Sequence, residues 1–294
     1  VLTRRAALAL PLLAAPPARA AARRVVIAGG GIAEIAAALG AGPEIVAVDS
    51  TALFPARLRA LPQVGYLRAL GAEGVLSVSP DLLLLAHEAG PPEAVAQLAR
   101  SGITVVRAPQ VTDAASLVTA VGLVARALGR VAEGEAMAAA ITEDFAALAT
   151  SVAAQPRRPS AVFVLAVGGG APQAAGEATA ASAMLALAGL RNAVTGYRGY
   201  KPVAAEALLA AEPDAVVTTT HTLSAVGGIE ALAANPALAL LRATRARRII
   251  ALDSLYLLGF GPRTAHAARD LAAALHGDAA LPALPDRPWL KDAA

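Results

Sequence analysis

Short apolar runs, each bounded by glycine, proline or charge, alternate along this chain with stretches whose apolar residues recur at helical spacing. Arg24 to Ala28 reads as a buried strand, Gly29-Gly30-Gly31 as a turn, and Ile32 to Leu39 as the helix that follows. Ile45 to Val48, Leu82 to Ala86 and Thr104 to Val106 read as further strands, with a helix over Glu93 to Arg100 between the last two. This alternation predicts an α/β fold with a mainly parallel sheet covered by helices. From Asp113 to about Ala154 there is no proline, and Leu117, Val121, Val124, Leu128, Val131, Phe145 and Leu148 keep a helical period. Gly129 and Gly134 each weaken that helix by roughly 1 kcal/mol relative to alanine, so it is expected to bend or to divide into two abutting helices. Gln155-Pro156-Arg157-Arg158-Pro159 ends it, and Ala161 to Leu165, Ala215 to Thr219 and Arg248 to Leu252 form a second set of strands.

The two sets are related. Ala72-Glu73-Gly74-Val75-Leu76 through Pro80-Asp81 recurs in register as Ala205-Glu206-Ala207-Leu208-Leu209 through Pro213-Asp214, each copy a short helix, a Pro-Asp turn and an apolar strand. The expected organisation is a leader over 1–20, an N-terminal lobe over 21–112, a linking helix over 113–154 and a C-terminal lobe over 155–294. Two Rossmann-like lobes joined by a long rigid α-helix leave a ligand cleft between them. Paired lobes around one cleft suggest a binding protein before they suggest an enzyme.

Composition narrows this further. The 56% hydrophobic content is rich in alanine, and the apolar stretches after the leader are short and interrupted. With no cysteine there is no disulfide framework and no thiolate site. Thr3-Arg4-Arg5, the apolar Ala6 to Ala15 and the Ala18-Arg19-Ala20 site have the form of a secretory signal, with cleavage expected after Ala20. Loss of Arg4, Arg5 and Arg19 takes the formal charge from +3 to zero. The arginine pairs Arg157-Arg158 and Arg247-Arg248 lie far apart in sequence and aromatics make up only 3%, which argues against a nucleic-acid partner.

Several residues are candidates for chemistry. Gly29-Gly30-Gly31 with Asp49 invites a dinucleotide site, but Glu34 occupies the position of the third glycine and opposes a pyrophosphate. His87 and His221 follow equivalent strands, although no metal-ligand spacing joins the four histidines, and solvated loop positions explain them as well. Neither a nucleophile elbow nor a carboxylate pair with acid and base roles is present, so no catalytic residue is assigned. Tyrosine is scarce and better placed. Tyr66 and Arg68 precede the first repeated helix, and Tyr197, Arg198 and Tyr200 precede the second, in loops on the side where a parallel sheet presents its ligand. Edge-covering tyrosines would look the same.

Val48-Asp49-Ser50-Thr51, Leu61-Pro62-Gln63-Val64-Gly65-Tyr66, Ala72-Glu73-Gly74-Val75-Leu76-Ser77, Gly90-Pro91-Pro92 and Leu257-Leu258-Gly259-Phe260-Gly261-Pro262-Arg263 together resemble the haem-binding periplasmic proteins of bacterial ABC haem importers. The resemblance runs from about Arg23 to His276. It implies two lobes bridged by one long helix, and a periplasmic monomer that hands haem to an inner-membrane permease. It makes Tyr66 the axial ligand of ferric haem, a hard phenolate donor for a hard Lewis acid. Arg68 and Arg263 become candidates to pair with propionates or to hold the phenolate ionised, and Tyr200 and His221 are further candidates for the binding site. It also makes Glu73 and Glu206 docking residues for arginines on the two permease subunits. In some relatives the loop after the first strand of the second lobe supplies a histidine. Here that loop is Ala166-Val167-Gly168-Gly169-Gly170, so coordination by Tyr66 alone is expected, with His221 as the substitute. Cobalamin or a ferric siderophore would suit the same architecture, and a nucleotide-dependent enzyme is the remaining alternative.

Overall fold

A computed structural model describes residues 23–168, 170–277 and 280–292. The expected leader over 1–20 lies outside the described residues. The N-terminal half runs β1 (Val25–Ala28), α1 (Gly30–Ala38), β2 (Ile45–Val48), α2 (Ala72–Leu76), β3 (Leu82–Leu85), α3 (Pro92–Arg100), β4 (Thr104–Arg107) and α4 (Ala114–Leu128). After α5 (Val131–Ala153) come β5 (Ser160–Ala166), β6 (Gln173–Ala175), α6 (Ala180–Leu187), β7 (Arg191–Asn192), β8 (Tyr200–Pro202), α7 (Ala205–Ala211) and β9 (Ala215–Thr219). The chain continues through α8 (Thr220–Val226), α9 (Ile229–Ala233), α10 (Arg242–Arg245), β10 (Ile249–Leu252), α11 (Ser254–Leu258) and α12 (Thr264–His276).

Strands pair in the order β2-β1-β3-β4, all parallel, in the first sheet. The second has the order β10-β9-β5-β6-β8, with β7 also on β5; β6 joins β5 and β8 antiparallel, and the remaining pairings are parallel. Both faces of each sheet are covered, and the period of two sorts the side chains. Val25, Ile27, Leu82, Leu84, Ala161, Phe163 and Val217 face one core that runs through both halves with α4, α5 and α12. Val26, Leu83 and Leu85 face α2 and α3, and Val162, Val164 and Val216 face a third cluster beneath α7 to α10.

The helical stretch over 113–154 divides into two helices. Asp113 begins the first with a capping box, its carboxylate accepting from the Ser116 N–H at 2.8 Å. Gly129 ends it at φ 70°, a left-handed cap suited to glycine. The chain then turns back, and a Cβ on Gly134 would stand 2.3 Å from the Cβ of Ala125, so glycine is what allows α5 to lie against α4. The link between the lobes is therefore α5 alone. Its 23 residues span about 34 Å.

The repeat is structural down to its backbone. Val75 and Leu208 are equivalent and both fully buried. Ser79 and Glu212, also equivalent, both adopt positive φ, 45° and 41°. The two Pro-Asp turns do the same work. Asp81 accepts the Arg24 N–H at 2.9 Å beside β1, and Asp214 accepts the Ser160 N–H at 2.9 Å at the start of β5. That backbone bond, the Ser160 hydroxyl, and the charges of Arg157 and Arg242 hold the Asp214 carboxyl below its ordinary value, against the opposing effect of burial. A depressed folded value contributes stability above the unfolded pKa, lost as pH falls through the folded one. Asp214→Asn should therefore lower stability by about 1 kcal/mol at neutral pH and flatten the acid limb below about pH 4, read by urea unfolding across that range.

A C-terminal segment crosses the molecule. Leu281 O accepts from Arg269, Arg287 reaches Asp144 and Glu143 on α5 at 2.6 Å each, Trp289 Nε1 donates to Pro262 O at 3.1 Å, and Asp292 accepts the Ala56 N–H at 2.6 Å. Asp144 is almost fully buried, so Arg287 supplies the charge it needs.

Candidate functional site

Tyr66 is set at the C-terminal edge of the first sheet by backbone bonds on both sides. The Val48 N–H donates to Pro62 O, the Val64 N–H to Val48 O and the Ser50 N–H to Gly65 O, all at 2.9–3.0 Å, which continues β2 into a strand-like pairing with the loop. Gly65, at φ 97°, turns the chain so that Tyr66 points away from that pairing. Beyond it, the Leu67 N–H reaches Asp49 Oδ2 at 3.2 Å, and Leu67 and Leu70 exchange bonds with Gly90 in the loop after β3. Val64, Leu67 and Leu70 are buried beneath the loop while Tyr66 is 43% exposed. A large aromatic on so well fixed a loop is presented to something outside the lobe.

Arg68 is the partner of that phenol. Its Nη1 donates to the Tyr66 hydroxyl at 2.8 Å and its guanidinium lies 6.0 Å from the ring centroid. Nη2 stands 3.7 Å from Glu88, which the sequence did not single out. From the second lobe, Tyr200 on β8 comes close enough for the charges of Arg68 and Glu88 to act on it. Burial pushes its phenol upward, opposed by hydrogen bonds from Ala181 and Thr179 and by Arg68. The charge of Arg68 thus reaches Tyr200 from the opposite lobe. His221 sits exposed in the first turn of α8, just past the end of β9, and His87 is exposed at the matching place after β3. Tyr197 is an edge-covering residue, its hydroxyl donating to Ala174 O at 3.0 Å and its ring filling the space where a Cβ on Gly176 would stand.

Arg263 is elsewhere engaged. Its Nε and Nη2 grip the Glu34 carboxylate at 2.9 and 2.5 Å, and its guanidinium stacks 3.7 Å above the Phe54 ring. The Glu34 side chain is buried at 3% exposed, and that of Arg263 is partly buried at 12%. This pair joins the first helix of one lobe to the Gly259-Phe260-Gly261-Pro262 turn of the other, so in this structure Arg263 is engaged as a tie between lobes rather than with Tyr66. A lone carboxylate in the apolar run of α1 was the available signal, because a buried Glu requires a partner. Its partner, more than two hundred residues away, was not legible.

The glycine turn is explained in the same place. Asp49 Oδ1 accepts the Gly29 N–H at 2.8 Å and Thr51 Oγ1 the Gly30 N–H at 2.9 Å, so side chains of this protein already fill the helix terminus where a pyrophosphate would lie. Added Cβ atoms on Gly30 and Gly31 would fall 2.3 Å from Thr51 O and 2.0 Å from Gly259 O. The glycines serve close packing between lobes. Glu73 and Glu206 stand exposed in the first turns of α2 and α7, and neither makes an ion pair among the described residues.

A family model described as periplasmic binding protein matches residues 25–256. Among solved structures, the chain is 42% identical to the periplasmic heme-binding protein BhuT in complex with two hemes, with a TM-score of 0.83 over 88% of this chain and 99% of that one. The apo form of the periplasmic heme-binding protein RhuT from Roseiflexus sp. RS-1 is 40% identical, with a TM-score of 0.82 over 88% and 99%. A periplasmic heme binding protein from Pseudomonas aeruginosa is 36% identical, with a TM-score of 0.79 over 86% and 92%.

Proposed function

The chain belongs to the periplasmic binding protein family, and from that premise we propose that it captures haem in the cleft between its lobes and delivers it to an inner-membrane ABC permease. The family consists of binding proteins, and in this reading the chain performs no catalysis. It works outside the cytoplasmic membrane, after cleavage behind Ala20. The observation that carries the haem reading is Tyr66, an exposed phenol on a rigid loop with a guanidinium bonded to its oxygen. A phenol must lose its proton to bind ferric iron, and Arg68 offers the positive charge that stabilises the resulting oxyanion. Tyr200 provides the opposing wall, and His221 stands within the same cleft edge as the substitute ligand. Glu73 and Glu206 present one carboxylate from each lobe to arginines of the two permease subunits.

Hemin titration of the purified protein is the test. The wild type should develop a Soret band and a phenolate-to-iron charge-transfer band. Tyr66→Phe keeps the ring and deletes the donor, so the charge-transfer band should vanish while weaker haem binding remains, since most affinity comes from burying porphyrin faces at roughly 25 cal/mol per Å² before association costs. A variant with the wild-type spectrum would exclude Tyr66 as ligand and bring His221, His87 and Tyr200 forward. Absence of any Soret change in the wild type, with binding of cobalamin or a ferric siderophore, would move the ligand but leave the architecture.

A further inference from the structure

The two arginine pairs that stand far apart in sequence converge in the fold. Arg157-Arg158 immediately precedes β5 and Arg247-Arg248 immediately precedes β10, and these strands lie parallel on either side of β9. Their entries therefore share one edge of the sheet, the edge opposite the cleft. A cavity of about 600 Å³ opens there, lined in part by Arg157, Asp214, Arg247, Arg248 and His276. Arg242 and Arg245 on α10 add to it, which brings the cluster to six arginines, all exposed. Among the described residues, Glu212, Asp214 and Glu230 are acids on this face. Asp214 is shared by Arg157 and Arg242 at 3.3 and 3.7 Å, and Glu230 pairs with Arg247 at 3.0 Å. Arg158, Arg245 and Arg248 make no ion pair among the described residues. Burial, and after it the charge of Arg157, push the His276 imidazole below its ordinary value. In a mature chain of zero net charge, such a concentration leaves the remainder of the molecule net acidic.

Apolar side chains accompany the charge. Among the described residues five large hydrophobics are exposed, and two of them, Ile229 at 43% and Leu240 at 52%, flank this cluster next to Glu230 and two residues before Arg242. Exposed aliphatics beside arginines are the combination that seats a protein on an anionic bilayer, guanidinium forks on phosphate and alkyl groups at the acyl boundary. We propose that the base of the C-terminal lobe is a docking surface for anionic phospholipid headgroups. It is independent of haem. Because Glu73 and Glu206 sit at the other end of the sheets, a molecule seated by this base turns its cleft away from the bilayer, toward incoming ligand, and must leave the lipid to meet the permease.

Sedimentation of the purified, haem-free protein with vesicles tests this. Phosphatidylglycerol-containing vesicles should carry the protein down, neutral phosphatidylcholine vesicles should not, and high salt should release it. Arg158→Gln, Arg245→Gln and Arg248→Gln together leave every ion pair named above in place, and should weaken vesicle binding at least tenfold. The same variant should keep the wild-type unfolding midpoint. No sedimentation with anionic vesicles, equal sedimentation with neutral ones, or undiminished binding by the triple variant would each overturn the proposal. Retention on polyglutamate without any vesicle binding would overturn it in favour of an acidic protein partner.

Discussion

Reversing Glu73 and Glu206 together to lysine is expected to reduce haem uptake by whole cells to background, while the purified protein binds hemin as tightly as before. Each carboxylate begins the equivalent helix of its lobe, exposed, and anchored from beneath by Val75 or Leu208. A lysine in a first helical turn opposes the helix dipole at a cost of about 0.3–1 kcal/mol, too little to unfold either lobe. Opposite the permease arginines proposed above, the same change places like charges against each other, which costs several kcal/mol at each site. A single reversal should leave partial uptake. Wild-type uptake by the double variant would dismiss both residues as docking groups, and a parallel loss of hemin affinity would show that the lobes themselves had been disturbed.

Removing Arg263 should cost the fold about 3–5 kcal/mol, because Arg263→Ala strands a carboxylate that is 3% exposed. Burial already pushes the Glu34 carboxyl upward, and the hydrogen bonds and charge of Arg263 are what oppose it. Without the guanidinium the folded value rises further above the unfolded one, so the folded state binds the extra proton and stability increases as pH falls toward the unfolded value. The deficit should therefore be largest near pH 7 and narrow by about pH 5, measured by urea unfolding at both. A variant as stable as the wild type but altered in its haem spectrum would instead return Arg263 to the binding site, where the resemblance first put it.

Both lobes were legible in the chain wherever packing is local and two-sided. Val25 to Ala28, Leu82 to Leu85 and Ala161 to Val164 are apolar on both faces because both faces are covered, and such runs read as strands without help. The repeat was legible because its helix, turn and strand are adjacent in sequence. Gln173–Ala175 and Tyr200–Pro202 were not, being three residues each with no β-branched side chain. Tyr66 and Tyr200 were singled out through the scarcity of tyrosine and their position, and Arg68 through its place beside Tyr66. What could not be read was any relation that only the fold creates: Glu88 behind Arg68, Thr179 beside Tyr200, Arg263 on Glu34, and the meeting of the two arginine pairs. Each joins residues whose separation along the chain carries no periodic signal.

The lobes are tied together three times over, by α5, by Glu34 with Arg263, and by the C-terminal segment from Leu281 to Asp292. A cleft held at nearly fixed width is open before its cargo arrives, so loading is limited by encounter rather than by rearrangement. By the same token, cargo leaves along the path by which it entered, at a rate set by its affinity rather than by lobe motion. Discharge faster than that intrinsic rate requires work done on both lobes at once from outside, which assigns the energetic burden of rapid release to the transporter and leaves the carrier itself a passive cradle.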